Sequence, residues 1–512
     1  DRKSLAVCKV HGRPEDPGVD TAVIIRRYGL AAAFSDEALR ETEGIAAALT
    51  PKDIEGRRDF RDWETVTIDG EKAQDFDDAV SIKRLDDGGF LLGVHIADVS
   101  RYVKPGSALD GEALERATSV YFPDLTLPMI PERLSNDLCS LRHAVPRLTM
   151  SAIMEIDPKG RVVGAFFTPS VIQTVERMTY TAVSKILKGD RAEQRRYHRL
   201  VPSFLLMNDV AGLLRARRLE EGSLDFDLVE PELIYEEGKL MAVAAVERND
   251  AHRLIEEFMV AANVAVASYL AEREIPAIYR VHPVPAVEDL EKLHEILTHF
   301  GFALPPAEKI GPKDLARLIE KAKGRPEEKF IAIQILRAMR IATYSTENVG
   351  HYGLAKTNYT HFTSPIRRYP DLAVHRILKA ALEKQAAGRL PLESVARHSS
   401  ERERNADEAE QSLLKWRIFR LLHERLGDEF GGIVVDITRA GLLIELDDFF
   451  VEGLLPFAAL GGDYDQRTSG RRLRGRKRGK RFDLGDRVRV MLVSCDPVLQ
   501  RMSFVPAPGA AE

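Results

Sequence analysis

The segment Thr67-Ile-Asp-Gly-Glu-Lys-Ala-Gln-Asp-Phe-Asp-Asp-Ala-Val80 gathers Asp69, Asp75, Asp77 and Asp78 directly ahead of an apolar stretch. Four carboxylates held that close repel, and ionising all of them without a counter-charge pushes their pKa values upward. A hard divalent cation resolves the conflict. Mg²⁺ takes oxygen ligands at about 2.1 Å and keeps several waters, which leaves positions for a substrate phosphate. A calcium EF-hand is excluded: with Asp75 in first position, Ala79 would stand fifth and Val80 sixth, where that loop needs a ligand and a glycine. Asp/Mg²⁺ clusters commonly serve phosphodiester chemistry, one ion activating water and another stabilising the leaving oxygen at about 3.5–4 Å separation. Polymerases use the same device, so the cluster alone leaves hydrolysis and synthesis both open. A merely solvated acidic loop would need neither Phe76 between its carboxylates nor a buried hairpin beside it.

Complementary positive charge comes from His361-Phe-Thr-Ser-Pro-Ile-Arg-Arg-Tyr-Pro-Asp371. Pro365 and Pro370 define a short loop leading into a helix, with Arg367 and Arg368 expected at its tip. Arginine beside a carboxylate–metal site can clamp a phosphate bidentately and offset transition-state charge. The plainer reading is an arginine pair on a solvated helix start. A second basic feature is Arg471, Arg472, Arg474, Arg476, Lys477, Arg478, Lys480 and Arg481, a run without acidic residues in a chain whose net charge is −5. The total predicts no polyanion partner. The run predicts a confined polyanion contact.

The elements that must position these residues are partly legible. At 512 residues the chain has room for about three domains at roughly 100–200 residues each, and its ordinary glycine and proline content fits neither a disordered nor a fibrous protein. Val80 and Ile82, the turn cluster Asp86-Asp87-Gly88-Gly89, then Phe90, Leu92, Val94 and Ile96 predict a hairpin. Pro123, Pro128 and Pro131 keep residues 119–141 as loop or edge. Helices are expected over Asp250–Glu272, from Lys329 to about Tyr344, from Pro370, in the Ala-rich stretch Glu43–Leu49, and over Ser399–Arg425 as a bridge. Beyond Asp428 four short strands and room for a fifth suit a small closed barrel of OB type. The elements are those of a mixed α+β chain that ends in a five-stranded OB-type barrel. The expected division is a remnant at 1–60, a catalytic domain at 61–395, the bridge at 396–427 and the barrel at 428–506. The longest mainly apolar stretch, Phe258 to Ala271, falls short of the roughly 20 residues of a membrane span, so no membrane partner is expected. Three widely spaced cysteines without a CxxC pair point to a reducing, cytoplasmic setting. Asp1 in place of Met suggests a fragment or a processed product.

These motifs together are similar to the ribonuclease II/ribonuclease R family of RNB-type exoribonucleases. The matching pieces are TIDGEKAQDFDDAV (67–80), GVHIADVSRYV (93–103), SVYFPDLTLPMIPERLSNDLCSL (119–141), GSLDFD (222–227), HRLIEEFMVAANV (252–264) and YTHFTSPIRRYPDL (359–372). The resemblance implies a catalytic domain with a central antiparallel sheet and surrounding helices, and the barrel resembles the S1-type RNA-binding domain that follows it in this family. The resemblance implies processive hydrolysis of single-stranded RNA from the 3′ end by a monomer, releasing 5′-mononucleotides with Mg²⁺, or Mn²⁺ as the alternative. It implies metal binding by Asp69, Asp75, Asp77 and Asp78, with the role closest to chemistry for Asp77. Arg367 matches the arginine at the scissile region, and Tyr121 and Phe226 match the aromatics that clamp terminal bases. Stacking suits a degradative enzyme, since each base on an aromatic face contributes about 1–3 kcal/mol whatever its identity. Glu410 falls near a glutamate implicated in product handling.

Two departures from the family pattern stand out. Two cold-shock-type barrels usually precede the catalytic domain, and here at most the tail of one is expected, at about Lys9 to Leu30. The C-terminal barrel reads Ala440-Gly-Leu-Leu-Ile444 where such domains often carry an aromatic, so its affinity is expected from the basic run more than from stacking. Two other function classes compete: a non-catalytic RNA-binding protein, which would have lost its aspartates, and a nucleotidyl transferase, for which no GxxxxGK[ST] loop is found.

Overall fold

The structure is a computed structural model that describes residues 9–13, 16–226, 230–236, 239–246, 248–325, 327–385, 390–461, 472–474 and 481–508. Its centre is a seven-stranded sheet in the order Arg58–Asp59, Val162–Gln173, Pro146–Ile156, Phe90–Ala97, Asp78–Arg84, Thr65–Asp69, Glu176–Thr179. The interior pairings are antiparallel, as expected, and both edge pairings are parallel. The predicted hairpin is present, with Val80 opposite Val94 and Ile82 opposite Leu92.

Both faces of the sheet are covered, so its inner strands are apolar almost throughout and not alternating. On one face Val80, Leu92, Val94 and Met150 pack against Phe204 and Phe258 of the helices Val201–Glu221 and Asp250–Glu272. On the other, Ala79, Ala97 and Ile153 meet Leu134, Tyr369 and Leu372. Asp250–Glu272 is the one described helix long and apolar enough to cross a membrane. Its apolar stripe is spent inside, with Leu254, Phe258, Ala262, Val266 and Leu270 fully buried, because this stripe covers the sheet. The C-terminal strands Glu429–Ile437, Gly441–Leu446, Glu452–Pro456, Arg501–Pro506 and Arg487–Asp496 close a barrel in that order.

Several boundaries differ from expectation. The helix expected to reach Tyr344 is Glu328–Ala338; Thr343–Ser345 then pairs with Tyr279–Val281, β-branched and aromatic residues favouring the strand. The Ala-rich stretch after Glu43 is not helical. The helix there is Asp36–Glu43, capped by the Ser35 hydroxyl accepting from the Ala38 amide and ended at Gly44, since the capping hydroxyl fixes where it starts. The bridge begins at Leu392, directly after Pro391, and runs to His423. The barrel tail expected over 9–30 gives way to a helix, Val19–Arg27, whose Ile24 is buried against the bridge. Residues 119–141 contain the small hairpin Val120–Tyr121/Thr126–Leu127 and a π-helical turn, Arg133–Leu138.

Candidate active site

The acidic loop is held open by its own non-acidic residues. Asp69 ends one strand and Asp78 begins the next, so residues 70–77 have to bulge from the end of these two strands. Phe76, 6% exposed, anchors that bulge: its amide donates to Ser140 Oγ at 3.1 Å and its carbonyl accepts from the Leu141 amide. Arg177 donates to the carbonyls of Gly70 and Glu71 and lies over the Phe76 ring. The carboxylates are thereby fixed at the surface of a buried scaffold and cannot relax apart.

The cost of that placement is visible at the oxygens. Asp69 Oδ2 and Asp77 Oδ2 are buried without a hydrogen-bond partner. Burial, then repulsion from Asp78 and Asp75, raises the Asp69 carboxyl well above its ordinary value. Burial raises Asp77 likewise, against the opposing pull of Arg367, and Asp78 is pushed up to about 6, chiefly by burial. Such a group lacks positive charge, and orphaned carboxylate oxygens are the atoms a divalent cation would take. The donor set therefore fits Mg²⁺ or Mn²⁺. Among the described residues no three His, Cys, Asp or Glu side chains close around a single ion. Asp75 and Asp77 are held by other partners, and the carboxylates repel one another.

Those partners are the other sequence-predicted residues. The Tyr121 hydroxyl donates to Asp75 Oδ2 at 2.8 Å, and the residue is 39% exposed. The Ile366 amide donates to Asp77 Oδ1 at 2.8 Å. Arg367 Nε stands 3.7 Å from Asp77 Oδ2, with its side chain 44% exposed, near enough to attract and too far to be locked. The arginine loop reaches this place because it is stitched to the tyrosine segment: the Ser119 amide donates to the Arg367 carbonyl, and the Tyr369 amide to the Ala117 carbonyl.

Arg368 is not at the loop tip. It turns inward and pairs bidentately with fully buried Asp371, at 2.9 and 2.7 Å, because a buried carboxylate requires a paired cation. Asp371 Oδ1 also accepts from the Ser364 amide, so the pair braces the loop that presents Arg367. Phe226 is half-buried against the core shared by the barrel and its neighbouring helices. It lines a cavity of about 610 Å³ with Phe450, Lys329 and Arg487, and no described contact joins it to the carboxylates. In the basic run, Arg472–Arg474 is a short strand paired with Arg481–Asp483; Arg471, Arg476, Lys477 and Arg478 lie outside the described residues.

The sequence reading missed Asn263 and gave little weight to Glu410. Glu410 Oε1 accepts from the Tyr121 amide at 2.6 Å. Asn263, a polar residue in the apolar stripe of its helix, accepts from the Phe362 amide through Oδ1 and so fixes the base of the arginine loop. Tyr180, stacked on His252 at 3.9 Å, has its hydroxyl pKa raised by burial and by Asp78 and Asp69. An uncharged amide inside an apolar helical stripe was the available signal for Asn263.

Carboxylates with orphaned oxygens thus stand beside an arginine and an exposed aromatic, on a sheet module joined to a small barrel. Residues 57–384 match the RNB domain and residues 424–504 the S1 RNA binding domain; the chain belongs to the RNB family. It is 39% identical to Ribonuclease R 1 of Lactococcus lactis subsp. lactis over 98% of this chain and 62% of that protein. To Ribonuclease R of Aquifex aeolicus it is 41% identical over 97% of this chain and 72% of the relative. It thus spans roughly two thirds of the relatives it matches. The structure of Mycoplasma genitalium RNase R in complex with ribose methylated single-stranded RNA superimposes with a TM-score of 0.90 at 27% identity, covering 97% of this chain and 79% of that one. Yeast Ssd1, a pseudonuclease, shares the fold at a TM-score of 0.72 and 20% identity, covering 88% of this chain and 57% of that one.

Proposed function

We propose that this chain is a hydrolytic exoribonuclease that removes 5′-mononucleotides processively from the 3′ end of single-stranded RNA, dependent on Mg²⁺ or Mn²⁺. The observation that carries the reading is the Tyr121 hydroxyl on Asp75. It supports the reading because an aromatic ring beside a carboxylate of the cluster suits the stacking of a terminal base at the point of cleavage. The names of the relatives support ribonuclease activity, and the S1 match supports an RNA partner. Because the fold is shared with a pseudonuclease, the choice between catalysis and mere binding rests on the site, and Asp69, Asp75, Asp77, Asp78 and Arg367 are all present.

Asp69, Asp75 and Asp78 would hold the metal, whose bound form supplies a nucleophilic water and neutralises phosphate charge. Asp77, fixed through Oδ1 by the Ile366 amide, keeps Oδ2 directed into the site to orient the attacking water. Arg367, whose Nη2 donates to Ser364 Oγ at 3.2 Å and whose side chain is 44% exposed, would turn onto the phosphate and stabilise the charge that develops. Tyr121 orders the terminal base by stacking. The reading extends to a monomer in the cytoplasm; Cys139 and Cys495, both buried and free, suit a reducing setting.

The test is incubation of 5′-labelled single-stranded RNA with Mg²⁺, resolving products over time against Asp77→Asn. Mononucleotide release down to a short labelled product is expected, with no turnover but retained RNA binding in the variant. Equal activity of the two proteins would overturn the catalytic role of Asp77. Added nucleoside triphosphates should cause no chain extension.

A further inference from the structure

The hairpin that carries Tyr121 is clasped by two segments remote from it in sequence. Val120, Phe122 and Leu127 pack in one cluster with Ile24 of the helix Val19–Arg27 and with Leu413 and Trp416 of the bridging helix. At the edge of this cluster lies Arg417, its side chain only 5% exposed. Nε meets Asp20 Oδ2 at 3.0 Å, and Nη2 meets Asp124 Oδ2 at 2.9 Å and Thr21 Oγ1 at 2.9 Å. Nη1 donates to the Tyr235 hydroxyl at 3.0 Å. The rigid guanidinium fork thus joins the N-terminal helix, the Tyr121 hairpin and the strand Glu230–Glu236 to the bridge.

Charge balance alone does not account for this set of contacts. Asp20, 2% exposed, neutralises Arg417 at 3.0 Å, while Arg420, 3.7 Å from the same oxygen, is a third exposed and keeps its hydration. Asp124 is 49% exposed and stays solvated without a partner, so its bond to Arg417 adds geometry more than charge compensation. Asp124 lies three residues beyond Tyr121, and on the same bridging helix Glu410 accepts from the Tyr121 amide. The helix therefore grips the hairpin at two points, the Tyr121 backbone and the Asp124 side chain.

We propose that Arg417 is a positioning residue for RNA binding: through Asp124 it sets where the Tyr121 ring stands over Asp75, and it makes the helix Val19–Arg27 part of the site that receives the 3′-terminal base. This rests on the exoribonuclease reading for its substrate. Asp124→Ala tests it, since Asp20 still balances Arg417 and the fold is spared.

Loss of one charge-assisted hydrogen bond should speed amide exchange in residues 120–127 about tenfold without RNA, leaving the central sheet unchanged. KM should rise about tenfold, the equivalent of one weakened stacking contact, with kcat unchanged and a longer final product. With Tyr121→Ala already in place, Asp124→Ala should add nothing further to KM. Unchanged exchange at the hairpin, or additive effects of the two substitutions, would refute the proposal. If no variant or parent cleaves RNA, the exoribonuclease reading fails; the positioning role is then judged on the same exchange data and on the Kd for single-stranded RNA, where non-additivity with Tyr121→Ala upholds it and additivity refutes it.

Discussion

Asp77 shows how a functional residue can act against stability. In the unfolded chain its carboxyl ionises near 3.8, and in the folded chain only well above that, because it is buried beside other carboxylates. Between those values the folded state binds more protons, so unfolding free energy falls as pH rises through the window and stays low above it. A divalent cation would offset this deficit. In chelator at pH 8, Asp77→Asn should therefore raise stability by about 1–2 kcal/mol, since Asn keeps an acceptor for the Ile366 amide and removes the charge. At pH 3, where the carboxyl is protonated in both states, the gain should vanish. Thermal unfolding at the two pH values measures it, and a variant no more stable than its parent at pH 8 would contradict the account. Arg368 teaches the complementary lesson: its neighbour Arg367 faces the site, while Arg368 is consumed by Asp371.

Elements bring remote residues to the site by pairing with one another. The helix Asp250–Glu272 was legible from its apolar stripe, and its polar residues turn out to have separate tasks. Asn263 holds the arginine loop. Glu257, 4% exposed, pairs with Arg218 of the neighbouring helix at 2.6 Å. Removing one partner of such a pair leaves an uncompensated buried charge, so Glu257→Ala should destabilise by about 3–5 kcal/mol. Denaturant unfolding would show it, and a loss below about 1 kcal/mol would mean that Arg218 finds another partner or reaches water. Helical periodicity sets Glu257 beside the apolar stripe and Glu256 nearly opposite it, but nothing in the sequence names Arg218 as the partner, because that contact lies between two helices.

On the scale of the molecule, the acidic average and the basic run call for separate tests. If the run contributes to RNA binding, changing Arg471, Arg472, Arg474, Arg476, Lys477 and Arg478 to Ala should weaken it alike for all sequences. The substitutions should also flatten the salt dependence by about 0.7 in slope for each phosphate no longer neutralised. An unchanged slope would assign the affinity elsewhere, with the cavity between barrel and catalytic module, lined by Phe226, Phe450, Lys329 and Arg487, as the next place to examine.

By itself the sequence determined the carboxylate loop, the hairpin behind it, the long apolar helix and the terminal barrel. Each is written in local periodicity, turn residues or charge density, which act over a few positions of the chain. Only the tertiary structure decided that Asp75 meets Tyr121 and that Asp77 meets Ile366 and Arg367. It also decided that Arg368 turns inward and that residues 19–27 form a helix against the bridge. These outcomes depend on groups separated by tens to hundreds of positions competing for the same buried donors and acceptors, and no local pattern records which of them wins.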